Sequence, residues 1–91
     1  MSLKTLYTMV LDYKGGTYIS QVTAESPEAA LTNWVTSANE RDLSHWSLTH
    51  QELAQLSEDR LIPIENCKNV WCASDSTESG LMLLNIVATE T

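Results

Sequence analysis

Hydrophobic and polar residues alternate with a period of two along residues 3–13, and the odd-numbered positions are the more apolar. This alternation predicts a β-strand with its odd-numbered face buried. Gly15 and Gly16 follow the strand, and both tolerate the positive φ angles of a two-residue hairpin turn. A second strand over residues 17–24 then returns along the first. The beginning of the chain therefore predicts an antiparallel hairpin that the rest of the chain covers on one face.

The apolar positions of the two strands favour one register. With the two glycines as the turn, Tyr13 lies opposite Tyr18 and Met9 lies opposite Val22. A slip of one residue would set Met9 against Gln21 and bring fewer apolar pairs together, so it is disfavoured. The residues predicted for the core face are Tyr7, Met9, Leu11 and Val22.

A helix is predicted to follow over residues 26–39. Ser26 can cap free backbone N–H groups, Pro27 fits the first helical position, and Glu28 complements the positive end of the helix dipole. Apolar side chains then recur at helical spacing, at Leu31, Trp34, Val35 and Ala38. We expect this apolar face to lie on the hairpin.

Residues 43–48 fit a short strand, a helical turn or a structured loop equally well. The next segment is clearer, because Thr49 and Glu52 have the spacing of a capping box. Leu48 and Leu53 are placed to form a hydrophobic staple around that cap. A second helix is therefore predicted over about residues 50–59.

The last third of the chain predicts a second hairpin. Residues 69–75 and 81–88 have strand patterns, and the polar residues 76–80 between them predict a loop. Residues 61–64 are apolar, but Pro63 cannot donate to a ladder, so this segment is an edge strand or a connector. The strand at residues 81–88 is apolar on both faces through Leu84, which indicates the middle of the sheet.

These elements define an α+β fold. The prediction is a single globular domain spanning residues 1–91, with an antiparallel sheet of four to five strands in the order β-β-α-α-β-β. Both helices are expected to pack on one face of the sheet. The outward side chains of the first hairpin then form a surface for a partner or a second copy, and they are Lys4, Thr8, Asp12, Ile19, Gln21 and Thr23.

Charge narrows the classes of partner. Twelve acidic residues against five basic ones give a net charge of −7. This balance disfavours nucleic acid and anionic membrane surfaces, which both need cationic side chains, and it suits a basic protein partner. No apolar run approaches the ~20 residues that span a bilayer, and no signal-peptide pattern precedes the first strand. We therefore expect a cytoplasmic protein with no nucleic-acid or membrane partner and with reduced thiols.

The residues suited to catalysis or metal binding form no recognisable motif in this sequence. His45 and His50 are five positions apart, as are Cys67 and Cys72, and neither spacing is typical of metal ligands on one helix or strand. A composite site of all four side chains would need the tertiary fold to assemble it. Neither a nucleophile elbow nor a phosphate-binding loop is present. The sequence therefore predicts no enzymatic activity, no cofactor, and no catalytic or metal-binding residue.

Trp46 is the main candidate for contact with a protein partner. It lies in the polar segment LSHWSLTH, and exposed tryptophan is a frequent anchor at interfaces. The acidic residues around it, Glu40, Asp42 and Glu52, complete the predicted contact set. Packing of Trp46 under its loop is the alternative, and the sequence also leaves open whether Trp46 or Trp71 is exposed.

Two segments carry a resemblance to known proteins. They are LYTMVLDYKGGTYISQVTAESPEAALTNWV and NVWCASDSTESGLMLLNIVATE, which resemble small acidic bacterial proteins of the uncharacterised or toxin-immunity type. The passage from Gly16 to Ile19 followed by residues 26–31 is also similar to the strand-to-helix passage of HicB-like antitoxins. The resemblance implies a protein-binding role and assigns no functional residue.

The sequence thus favours a small, acidic, non-catalytic protein-interaction module, possibly a toxin-immunity or antitoxin-type protein. The alternative is a small enzyme or ligand-binding protein with a pocket between sheet and helices. A homodimer formed through a sheet edge or a sheet face is a further alternative.

Overall fold

The fold is a five-stranded antiparallel sheet with three helices, as seen in a computed structural model that describes residues 4–58 and 61–90. The strands are in the order β2-β1-β5-β4-β3. This architecture confirms the predicted α+β class. Along the chain the elements are β1 (Thr5–Tyr13), β2 (Gly16–Ala24), α1 (Pro27–Ser37), α2 (Glu40–Trp46), α3 (His50–Glu58), β3 (Ile62–Pro63), β4 (Val70–Thr77) and β5 (Gly80–Glu90).

Strand β5 occupies the middle of the sheet and pairs with both β1 and β4. Its even-numbered side chains from Met82 to Ile86 are fully buried under the helices, while Leu83 and Val87 on the other face are half-buried. The helices bury one face of β5, while the apolar side chains of its other face lie on the side of the sheet that the described helices leave open, where Leu81 is exposed. The interior position predicted for this strand is confirmed.

The hairpin of β1 and β2 forms, but its register differs from the prediction by two residues. Lys14 and Gly15 are the turn residues, with φ of 50° and 77°, and Tyr13 pairs with Gly16 rather than with Tyr18. A shift of two residues keeps every side chain on its predicted face. The correction therefore changes the pairs and leaves the core face as predicted.

Gly16 has a different role from the one predicted for it. It is a strand residue, and the ring of Tyr18 lies directly over it: a Cβ at Gly16 would be 2.5 Å from the Tyr18 hydroxyl oxygen and 2.7 Å from Cζ. The first glycine of the pair serves the turn, which needs positive φ at both central positions. The second glycine makes room for an aromatic ring.

Helix α1 begins as predicted. The Ser26 hydroxyl accepts a hydrogen bond from the Ala29 backbone N–H at 3.0 Å, and Pro27 occupies the first turn. Helix α3 also begins as predicted, because the Glu52 N–H donates to the Thr49 hydroxyl at 3.1 Å and the Thr49 N–H donates to the Glu52 carboxylate at 3.0 Å. Both bonds of the predicted capping box are present.

Helix α2 is an addition to the two predicted helices. Asn39 caps it, accepting from the Asp42 N–H at 2.9 Å, while the Asp42 carboxylate accepts from the Asn39 N–H at 3.3 Å. Ser47 then ends the helix in the left-handed conformation, with φ of 60°. Of the three conformations open for residues 43–48, the helical one is correct for residues 43–46. This capping box has Asn and Asp in place of the Ser or Thr and the Glu or Gln of the usual motif.

The second hairpin is tighter than predicted. Strand β4 continues to Thr77, which pairs with Gly80, so the turn is Glu78-Ser79 and the predicted loop over residues 76–80 is wrong. Ser76 and Thr77 are polar, but polar residues can belong to a strand when their side chains are in contact with water. At the other side of β4, Ile62 and Pro63 pair with it as a two-residue edge strand, which resolves the alternative left open for this segment.

All three helices pack on one face of the sheet. Their apolar side chains, including Leu31, Leu53 and Leu56, share one core with Met9 and Leu84 from the sheet. None of the described helices covers the opposite face. Every odd-numbered residue of β1 from Tyr7 onward is buried, whereas none of its even-numbered residues is.

Candidate interaction surfaces

Trp46 lies in the core. It is 7% exposed, and its ring stacks on that of Trp34 with centroids 5.2 Å apart and planes 26° apart. The Trp34 indole Nε1–H donates to the Ser20 hydroxyl at 2.9 Å, which ties the pair to β2. Packing inside the fold, the alternative left open for Trp46, is thus what the structure has. Trp71 is half-buried, with its ring edge-on to Tyr7 at 6.1 Å.

The three acids predicted around Trp46 have different surroundings. Glu40 is exposed in the first turn of α2. Asp42 and Glu52 are half-buried and use their carboxylates in the capping boxes of α2 and α3. Contact between these residues and a partner stays a prediction. Two of the three carboxylates hold helix ends together in the isolated chain.

Negative charge is concentrated in one part of the fold. We call residues 25–58, which contain the three helices, the acidic helical layer. This segment has six acidic residues and one basic residue, which gives −5 out of the total of −7. Glu25, Glu28 and Glu40 are exposed on it. The layer therefore presents a field of one sign to approaching molecules.

The helix-free side of the sheet has a different character. We call it the open sheet face, and none of its eighteen side chains is buried. Asp12 is the one charged residue among these eighteen described side chains. Strand registers place on this face Leu6, Thr8, Val10, Asp12, Thr17, Ile19, Gln21, Thr23, Ile62, Val70, Cys72, Ser74, Ser76, Leu81, Leu83, Asn85, Val87 and Thr89.

The large exposed apolar side chains of the described residues all lie on the open sheet face. Ile19 is 68% exposed, Ile62 is 62% exposed and Leu81 is 59% exposed. Ile19 and Ile62 are at opposite ends of the row that crosses all five strands, and Val10, Asn85 and Cys72 lie between them. Exposed apolar side chains on a face that also has polar ones are typical of an interaction surface.

Polar side chains on the open sheet face bond to one another. The Thr17 hydroxyl donates to the Asp12 carboxylate at 2.6 Å, and the Gln21 amide donates to the Thr8 hydroxyl at 3.1 Å. The Thr8 hydroxyl also contacts that of Thr89. These hydrogen bonds pair polar atoms with each other and not with water. The desolvation free energy of these atoms, when another molecule covers the face, is therefore smaller than that of unpaired polar groups.

The residues suited to catalysis are on different sides of the molecule. His45 and His50 belong to the helices, and His45 packs edge-on to Tyr18 at 5.0 Å. Cys72 lies on the open sheet face, so the sheet separates it from both histidines. Burial raises the pKa of the Cys72 thiol, which favours the unreactive protonated form. Within residues 4–58 and 61–90, no three His, Cys, Asp or Glu side chains are grouped to hold a metal ion.

The predicted outward residues of the first hairpin lie where the sequence placed them. Thr8, Asp12, Ile19, Gln21 and Thr23 are on the open sheet face, and Lys4 is exposed just before β1. The sequence did not extend this surface to β4 and β5. The alternation of Val70, Cys72 and Ser74 along β4 was the pattern that could have done so, once the strand order was known.

The chain gives no match to protein-family models, to curated proteins or to solved structures. Function must therefore be argued from its own surfaces. None of the helices in the described part of the chain has the length and apolar character needed to cross a bilayer.

Proposed function

We propose that this chain is a small, non-catalytic protein-interaction module whose partner is a basic protein. The observation that carries the proposal is the separation of charge, with −5 in the acidic helical layer and one carboxylate among the eighteen described side chains of the open sheet face. A field concentrated on one side steers and orients an oppositely charged partner. An inhibitor of the toxin-immunity or antitoxin type that neutralises a basic toxin fits this description.

The interior of the chain also supports a binding role over a catalytic one. Every buried side chain in the described part of the chain is apolar or aromatic. None of the described polar or charged residues is buried. A general base or nucleophile usually depends on a group held in a partly desolvated site. A cytoplasmic location, with both cysteines as free thiols, is part of the proposal.

The test is capture of a partner from the source cell with purified chain at low salt, followed by identification of the captured protein. We expect a basic protein that the Glu25→Gln/Glu40→Gln variant binds about tenfold more weakly. The matched control, Glu65→Gln/Glu78→Gln, removes the same charge from exposed positions outside the acidic helical layer and should bind normally.

Two outcomes would contradict the proposal. One is the recovery of no protein partner at low salt. The other is a partner whose affinity falls equally in the two double variants, because binding would then depend on total charge and not on the acidic helical layer.

A further inference from the structure

We propose that the open sheet face packs against the open sheet face of a second copy of the chain. The product is a homodimer with two sheets in the middle and an acidic helical layer on each outer side. This inference concerns the surface opposite to the one used in the proposed function, and it holds or fails independently of any basic partner.

Charge is the first argument for a second copy as the occupant. Two molecules of −7 repel, and contact through the acidic helical layers would bring two segments of −5 together. Among the eighteen described side chains of the open sheet face, the one carboxylate is that of Asp12, which already accepts a hydrogen bond from Thr17. It is therefore the surface on which two copies of this acidic chain meet with the least repulsion. A basic partner would gain little from it, because it offers almost no negative charge.

The second argument is the chemistry of the face. Three apolar side chains of the face are exposed, namely Ile19, Ile62 and Leu81. Three others are half-buried, namely Val10, Leu83 and Val87. The polar residues bond to each other along Thr17–Asp12 and Gln21–Thr8. These bonds lower the cost of removing water from the polar groups that make them. Two such faces form the core of a sandwich when they pack about 10 Å apart.

The size of the face is the third argument. Four neighbouring strands of about eight residues each, at ~4.8 Å spacing and ~3.3 Å per residue, make a rectangle of roughly 500–600 Å². Two copies would bury about 1,000–1,200 Å² in total, which reaches the lower end of specific interfaces. We therefore expect a reversible dimer with a dissociation constant in the micromolar range.

Sedimentation equilibrium of the purified chain tests the proposal. The wild-type chain should be a concentration-dependent dimer, and Ile19→Glu should weaken dimerisation by about 30-fold or more, because it places a charge against an apolar face. Gln55→Glu adds the same charge at an exposed position on α3 and should dimerise like the wild-type chain. Circular dichroism confirms that both variants are folded.

Mixing Ile19→Glu with Ile19→Lys gives a further readout, because opposite charges on the two faces should restore association. A wild-type chain that stays monomeric up to about 500 µM would overturn the proposal. Equal dimerisation of Ile19→Glu and Gln55→Glu would overturn it as well.

Alkylation of Cys72 shows which surface the dimer uses. In a Cys67→Ser variant Cys72 is the remaining thiol, and it lies in the middle row of the open sheet face. Its rate of alkylation should fall several-fold as the protein concentration passes through the dissociation constant. A dimer whose Cys72 reacts at an unchanged rate would pair through another surface, such as the free edge of β2, and would overturn the proposal.

Discussion

Tyr18 links the first hairpin to the helices at the level of single residues. Its ring lies over Gly16 on one side and meets the His45 ring edge-on at 5.0 Å on the other. The Tyr18 ring leaves no space for a Cβ at residue 16. Because glycine has no side chain, the ring can lie there and contact His45 of α2. A local sequence feature, the second of two glycines, thus supports a contact between residues 27 positions apart.

Gly16→Ala should destabilise the chain by about 1–2 kcal/mol, because the new methyl group displaces the Tyr18 ring. Gly15→Asn is the control: nothing lies within 4 Å of a Cβ there, and Asn tolerates the φ of 77° at this turn position. It should cost a few tenths of a kcal/mol. Urea denaturation measures both, and equal costs would show that Tyr18 does not depend on the space at Gly16.

The hydrogen bond from Trp34 to Ser20 is the second residue-scale feature that can be tested. Ser20→Ala should cost about 1–2 kcal/mol, since it leaves a part-buried indole N–H without its acceptor. In a Trp34→Phe background the same change should cost much less. A double-mutant cycle measures the difference. A coupling energy near zero would mean that the indole finds another acceptor or water.

Thiol reactivity reports the local environments of the two cysteines. Cys67 is exposed, whereas Cys72 is half-buried and has a raised pKa because burial disfavours its thiolate. At pH 8 one equivalent of thiol should react with Ellman's reagent rapidly and the second at least about tenfold more slowly. Cys67→Ser should remove the fast phase. A single fast phase from both thiols would contradict the burial of Cys72.

At the scale of elements, the two short helices α2 and α3 depend on their ends. They have seven and nine residues, lengths at which an isolated helix is marginal in water. Each begins with a capping box. Helix α2 buries Leu43 and Trp46 in the core, and helix α3 buries Leu53 and Leu56. Caps and buried side chains together hold these segments in helical form.

Loss of either cap should destabilise the chain by about 1 kcal/mol, because backbone N–H groups lose their acceptor. Thr49→Ala tests α3 and Asn39→Ala tests α2. The conservative controls Thr49→Ser and Asn39→Asp keep the accepting oxygen and should stay within about 0.5 kcal/mol of the wild-type chain. Thermal unfolding measures all four. If the alanine variants matched their controls, the capping bonds would contribute nothing to stability.

At the scale of the whole molecule, charge and apolar surface are segregated on opposite sides of the sheet. The acidic helical layer has a net charge of −5, while the open sheet face has one carboxylate among eighteen side chains. Repulsion among the acids opposes the compact state, and the apolar core offsets it. The same segregation is the basis for assigning two different partners to the two sides.

Salt should therefore stabilise the chain. Raising NaCl from about 0.02 M to about 0.5 M shortens the Debye length from roughly 20 Å to roughly 4 Å, which screens the repulsion within the acidic helical layer. We expect the melting temperature to rise by roughly 2–5 °C. Glu25→Gln/Glu40→Gln should show a smaller rise than Glu65→Gln/Glu78→Gln. A melting temperature that falls with salt would contradict net repulsion.

Local patterns determined much of this fold. Period-two alternation gave the face of β1, and the caps at Ser26 and Thr49 gave the starts of α1 and α3, because these signals depend on neighbours within a few residues. The two-sided apolar strand β5 revealed its central position for a similar reason. Total charge follows from the composition alone, and a net charge of −7 favours a basic partner over nucleic acid.

Only the tertiary structure decided the rest. The pairing of Tyr13 with Gly16 and the packing of the Tyr18 ring over Gly16 appear only in the fold. The burial of Trp46 accompanies its stacking on Trp34, twelve positions away in the chain. The open sheet face needed the strand order, since its rows join residues as distant as Ile19 and Ile62. Alternation tells which side chains share a face within one strand. Pairing between strands decides which faces become one surface, and that depends on contacts that no local pattern encodes.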